Sequence, residues 1–317
     1  MANLKAIHST IKVKSIQGRY ITNDDVFPFL EKLEQKFVVE NIGISVLGKT
    51  IKSVTFGTGV HKIFMWSQMH GNESTTTKAV LDLLNFMSVD SDLAVTILEK
   101  CTIKIIPILN PDGAEAKPAT VSFLAPAHDE ERSISETRGE SMQLIVAMNQ
   151  ELQKYIPGQV GRYDDGFNAN CVGDTFQMLN KPTILFESGH FPEDYEREET
   201  RALIFCAILK GVRIIAEQTI GEYEQKKYFE IPENGKLFYD ILIKNIEIIS
   251  NSLPKDTSVG ILFKEQLVSK KITFIPKIEK IEKFDSYFGH VTYNCLNIND
   301  LKKIEADKIL YHLLIRN

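Results

Sequence analysis

Cysteine is scarce: Cys101, Cys171, Cys206 and Cys295 are the chain's four, and no two stand at pair spacing. That excludes a Cys-x-x-Cys metal site and gives no sign of a disulfide framework. Cys101 and Cys206 sit in apolar runs and read as small buried hydrophobes, whereas Cys171 lies in a polar loop. Long apolar runs are lacking too, so no membrane span is expected. The opening Met1-Ala2-Asn3-Leu4-Lys5 has no apolar signal region, and the expectation is a cytoplasmic protein. There is no excess of positive charge, the formal net charge being −5, which argues against general affinity for nucleic acid. What is present is ordinary for a soluble protein, with 43% hydrophobic and 25% charged residues. A length of 317 residues suffices for one large α/β domain and a smaller appendage.

The stretch on which the rest turns is Trp66-Ser67-Gln68-Met69-His70-Gly71-Asn72-Glu73. Its His-x-x-Glu spacing is weak evidence by itself, since chance supplies such a match in about every second chain of this length. His128 with Glu131 and His190 with Glu193 repeat it. Context separates the first match from the others. Lys62 to Trp66 reads as a short buried strand, and Ser74 to Thr77 opens a helix whose apolar face is Ala79, Val80, Leu83, Leu84 and Met87. Gly71 and Asn72 permit a sharp strand-to-helix turn. His70 and Glu73 therefore stand at the carboxyl end of a strand, where open α/β sheets place their ligands. Imidazole and carboxylate are both zinc ligands, and one such turn would present two of the three that a catalytic site takes from the protein. The plain alternative is a histidine bonded within its own turn, with Glu73 simply starting the helix.

Two further strands end on polar groups. Cys101 to Leu109 is β-rich, broken by Pro107, and leads into the turn Asn110-Pro111-Asp112-Gly113. Pro182 to Phe186 is a short apolar strand delivering Glu187, with His190 three residues on. Before these lies an N-capped helix over 23–37, in which Pro28 is tolerated if it falls in the first turn. A hairpin follows, Ile42 to Val46 and Thr50 to Phe56, then a β-like run from Pro118 to Leu124. Next come helices over 135–156 and 192–218, the latter acidic at its start as the helix dipole favours. Gly161 to Asp174 has loop composition and is a candidate lid or substrate loop. His128, followed by Asp129-Glu130-Glu131-Arg132, reads as a surface residue at a charged helix start.

Lys236 to Ile249 reads as one more helix, closing a first domain at residue 252. From 253 to 317 short alternating runs, Val259 to Phe263, Lys271 to Ile275 and Tyr287 to Tyr293, indicate a small β-rich module. Its lysines alternate with glutamates and read as a solvated face rather than a nucleic-acid patch.

From about residue 20 to 218 the chain resembles the zinc carboxypeptidase superfamily. The helix from Asn23, the hairpin between Gly43 and Gly59, His70-Gly71-Asn72-Glu73 and Asn110-Pro111-Asp112-Gly113 follow that family in order. The resemblance implies an α/β fold with a mixed, mostly parallel sheet flanked by helices, His70 and Glu73 as ligands of Zn2+, and Glu187 as general base. It also implies a third histidine ligand and substrate-binding arginines after the Asn-Pro-Asp-Gly turn. Here Asp112-Gly113-Ala114-Glu115-Ala116-Lys117-Pro118 runs directly into the next β segment, so several tens of residues are missing by comparison. His128 and His190 are the remaining candidates for the third ligand; His190 resembles a part of the base motif more than a ligand.

The function implied is a zinc-dependent hydrolase cleaving a C-terminal peptide bond, impaired by that gap. An N-acyl amino acid hydrolase of the succinylglutamate desuccinylase and aspartoacylase branch is the alternative, because that branch carries a small β module after its catalytic domain. A disabled relative acting as a binding module is the third reading. The expected partner is a peptide or acyl amino acid substrate; oligomeric state is not legible.

Overall fold

The computed structural model describes residues 3–70, 73–112, 121–189, 191, 193–233, 238–250, 252–268, 271–283 and 287–315. The chain divides into two compact units, residues 1–234 and 235–317.

The first unit opens with α1 (Leu4–Ile11), whose cap Asn3 accepts the backbone N–H groups of Lys5 and Ala6 through Oδ1. In α2 (Asn23–Leu33) the N–H and hydroxyl of Thr22 both donate to Asp25, closing the first turn. Pro28 lies in the second turn of α2, not the first as expected. The carbonyl left without its helical partner is that of Asp24, an exposed residue, where water substitutes.

Strands β1 (Val38–Ile44) and β2 (Thr50–Phe56) form the expected hairpin, followed by β3 (His61–Trp66). Helices α3 (Ser74–Ser88) and α4 (Asp92–Lys100) lead to β4 (Cys101–Ile106), which stops where Pro107 removes a backbone donor. The sheet order is β1-β2-β4-β3. It is mixed among the described strands: β3 and β4 run parallel, with Ile63 beside Ile103 and Trp66 beside Ile106, and the other pairs are antiparallel. Gly59 is required just before β3, since a Cβ there would lie 1.8 Å from the Lys100 carbonyl carbon.

A second, two-stranded sheet pairs β5 (Val121–Leu124) antiparallel with β6 (Leu185–Ser188). Between them come α5 (Glu136–Leu152), capped by the Ser135 hydroxyl, and α6 (Val172–Met178). Helix α7 (Glu198–Glu217) packs against α1, α3, α4 and α5, so it is apolar on nearly every side from Ala202 to Ala216. Val54, Phe56, Ile103 and Ile105 of the main sheet face the same core as Leu83 and Leu84 of α3 and Phe205 and Leu209 of α7.

The stretch expected as a lid does not hang free. Tyr163 N–H donates to the Phe123 carbonyl and Phe123 N–H to that of Gly161, so residues 161–163 lie along β5. Asp165 is held by Arg138 at 2.5 Å and Arg132 at 2.9 Å, and Asp174 accepts the Asn168 N–H. These bonds tie the segment to β5 and to Arg138 of α5.

The second unit contains β7 (Phe238–Lys244), β8 (Ser258–Val268), β9 (Lys271–Glu282), β10 (Phe288–Asn294), α8 (Ile298–Ala306) and α9 (Lys308–Ile315). Its sheet runs β10-β7-β8-β9, with β10 parallel to β7 and the other pairs antiparallel. Ile243, Val259, Ile261, Ile304, Leu310 and Leu314 form its core. The β-rich module is therefore present, but of the helix expected over 236–249 residues 238–244 are a strand and 246–248 a single 3-10 turn, and the boundary between the units falls at 234 rather than 252. Ile241-Leu242-Ile243 is a short continuous apolar run, which fits a buried strand as well as a helix. Its pairing with β8 and β10 decides the matter.

Candidate active site

The site begins where β3 and β4 end together. Past Trp66 the two chains stay zipped: Ser67 N–H donates to the Ile106 carbonyl, Leu109 N–H to that of Ser67, and Asn110 N–H to that of Gln68. The Asn110 side-chain amide reaches the Met69 carbonyl at 3.2 Å. The Asn110 turn thus flanks His70, as the order of strand ends implied. Asp112 points elsewhere, accepting the Ser45 hydroxyl at 2.8 Å and the Leu47 N–H at 3.2 Å, so it caps the tip of the β1–β2 hairpin. Those partners are remote in the chain, and no local signal announces them.

His70 and Glu73 lie against each other within one turn, as either reading of the turn requires. His70 Nδ1 lies 3.3 Å from each Glu73 carboxylate oxygen, and the Glu73 N–H donates to the His70 carbonyl at 2.9 Å. The imidazole is open to solvent and the carboxylate half-buried. Two donor groups therefore converge on one turn at the start of α3.

Glu187 approaches from the second sheet, opposite Ser122 in the β5–β6 register. Its neighbour Ser188 exchanges a 2.7 Å hydrogen bond with Thr76, in the first turn of α3, and that bond fastens β6 to the helix that starts at Glu73. Burial pushes the Glu187 carboxyl up to about 7, the negative charge of Glu73 pushes it the same way, and His70 opposes both. The Thr76–Ser188 bond sets the end of β6, which carries Glu187, beside the first turn of α3. Thr76 and Ser188 were missed from the sequence, because hydroxyls on a helix and a strand end carry no pattern of their own.

His128 is turned away, its Nδ1 3.2 Å from the Gln177 backbone carbonyl at the end of α6. His190, and the junction from Gly113 to Thr120, lie outside the described residues. Among the described residues no group of three or more His, Cys, Asp or Glu side chains is placed to hold one metal ion. The arginines with defined partners are committed to structure. Arg138 binds Asp165 and the carbonyls of Arg132 and Ser133; Arg162 binds Glu233 and lies over the Tyr228 and Phe229 rings; Arg201 binds Asp82.

The first unit carries a metallocarboxypeptidase-like fold with a paired histidine and glutamate at the expected strand end. The zinc carboxypeptidase family model matches residues 29–173. A metallo-carboxypeptidase from Burkholderia cenocepacia shares the fold with a TM-score of 0.50 at 15% identity, covering 63% of this chain and 70% of its own. A Pseudomonas aeruginosa metallo-carboxypeptidase, solved with (2-guanidinoethylmercapto)succinic acid, aligns at a TM-score of 0.48 and 13% identity, over 62% of this chain and 70% of its own. Over residues 29–173 the chain is similar to the zinc carboxypeptidase family, and its fold is similar to that of a metallo-carboxypeptidase. Among the described residues no helix is long and apolar enough to cross a membrane.

Proposed function

We propose that this is the site of a zinc-dependent hydrolase of the metallocarboxypeptidase type, acting on a C-terminal peptide bond, with an incomplete ligand set in this chain. The observation that carries the reading is the convergence of His70 and Glu73 on one turn beside a carboxyl, Glu187, that holds its proton to about pH 7. The donors suit zinc in kind, imidazole nitrogen and carboxylate oxygen, but a catalytic zinc takes three from the protein and the described residues offer two. Zinc, when bound, would polarise the scissile carbonyl and acidify a water. Glu187 supplies the proton traffic: its raised proton affinity suits its carboxylate to take the water's proton, which it then passes to the departing amine. Thr76 and Ser188 keep its strand against α3 while this happens.

The outer edge of β3 supports the reading of a shortened site. No described strand pairs there, and Phe64 on that strand is 50% exposed. A family member with the additional segment would have a strand to lay against it. The compact β-rich unit after residue 234 favours one alternative substrate, an N-acyl amino acid, since the same chemistry splits either amide. Assay of peptides against acyl amino acids separates the two.

His70→Ala is expected to abolish zinc binding at the site, as read by equilibrium dialysis of the metal-free protein against zinc. Metal content equal to that of the wild-type chain would sink the ligand assignment.

A further inference from the structure

The turn carrying the two proposed ligands is held from outside by the segment that precedes α2. Two residues before His70, Gln68 is buried and adopts a left-handed backbone (φ 53°), unusual for a side chain of this kind. Its amide donates to the Ile21 carbonyl at 2.8 Å and accepts the Thr77 hydroxyl of α3 at 2.8 Å. Directly after Glu73, the buried Ser74 hydroxyl donates to the Arg19 carbonyl at 2.6 Å. The two flanks of the His70–Glu73 turn are therefore tied to carbonyls separated by a single residue. The chain reaches that place by turning at Gly18, whose φ of +76° a glycine adopts without strain.

Upstream the same segment is bound by its backbone as well. Asn85 donates to the Ile11 carbonyl, Arg201 to those of Val13 and Ile16, and Asp82 accepts the Val13 N–H. Val13, Ile16 and Ile21 are buried. All of this lies ahead of residue 29, where the family match begins.

We propose that residues 19–21 form a strap that clamps both flanks of the metal-ligand turn, with Gln68 and Ser74 as positioning residues for His70 and Glu73. The inference rests on the metal reading of the site for its function, though not for its geometry. Buried hydrogen bonds in a dry setting lose most when one partner is removed, and partners that orient ligands typically alter metal affinity by roughly ten- to a hundredfold. The strap thus sets how well the two ligands are prearranged, a burden that is heavier in a site with few ligands.

The test uses the full chain with Gln68→Met, Ser74→Ala and, as a control at the far end of the segment, Asn85→Ala, which cuts only the bond to the Ile11 carbonyl. Amide exchange at Glu73 is measured without metal, and zinc affinity by competition with a chromophoric chelator. Gln68→Met and Ser74→Ala are expected to speed Glu73 exchange by roughly tenfold or more and to weaken zinc by roughly ten- to a hundredfold. Asn85→Ala is expected to lower the melting temperature without either effect. Unchanged Glu73 exchange in both turn variants, or equal acceleration by Asn85→Ala, overturns the strap. A wild-type chain that binds no zinc overturns the metal reading instead, and the exchange data then decide the strap alone.

Discussion

Glu187→Gln is expected to abolish whatever hydrolysis the chain performs while leaving its metal binding intact. Glutamine keeps the shape of the side chain and cannot carry the proton, and a positioned general base contributes about a hundred- to ten-thousandfold in rate. The same substitution has an opposite effect on stability. In the folded metal-free protein the Glu187 carboxyl is pushed up to about 7 against an ordinary 4.5, because it is half-buried and feels the negative charge of Glu73. A carboxyl with a raised folded value binds its proton more tightly in the native state. Its contribution to stability is therefore full below about pH 4.5 and is lost as pH rises through about 7. At pH 8 the wild-type chain holds an ionised carboxylate at this half-buried place, whereas the variant holds a neutral amide there. The variant should melt higher than wild type at pH 8, with the advantage gone at pH 4 to 5. Melting curves of both proteins in chelator across that range check it. Retained turnover contradicts the role of base, and parallel melting profiles contradict the half-buried, repelled carboxylate.

Asp82→Ala is expected to be the most destabilising single change of a side chain in the first unit. Asp82 lies wholly buried within α3, where its two oxygens meet Arg201 Nε and Nη2, both at 2.6 Å. It also takes the Val13 N–H at 2.8 Å and pairs with the buried His8 at 2.8 Å. Removing one member of such a cluster strands the buried guanidinium, at a cost of about 3–5 kcal/mol. The double variant Asp82→Leu with Arg201→Met should recover only part of the loss, because it removes the stranded charge but leaves the Val13 N–H and the carbonyls of Val13 and Ile16 without these partners. Urea unfolding of the two variants distinguishes them; equal midpoints would show that the ion pair has little to do with the stability of this interface.

These buried contacts mark the limit of what the amino-acid order discloses. Strand ends were legible because β3, β4 and β6 are short apolar runs that stop on His70, Asn110 and Glu187, and the periodicity of α3, α5 and α7 reports the faces they bury. His70 and Glu73 could be paired because they share one turn. Placing Glu187 beside them required the resemblance as well, since its strand comes four helices later in the chain. Residues 4–11 gave no signal: eight residues are too few for a periodic pattern, and α1 is held by Asn3 and by the distant Asp82. Thr76, Ser188, Gln68 and Asp112 are ordinary polar residues whose partners lie far along the chain. β7 was misread because three successive apolar residues fit either period.

Zinc titration of the metal-free chain by calorimetry tests the central claim most directly. A site with His70 and Glu73 as its described donors should bind one zinc per chain more weakly than about micromolar, and His70→Ala should remove that binding. One-to-one binding at micromolar affinity or tighter, accompanied by cleavage of a C-terminal peptide bond, would show that a further residue completes the site and would contradict the account.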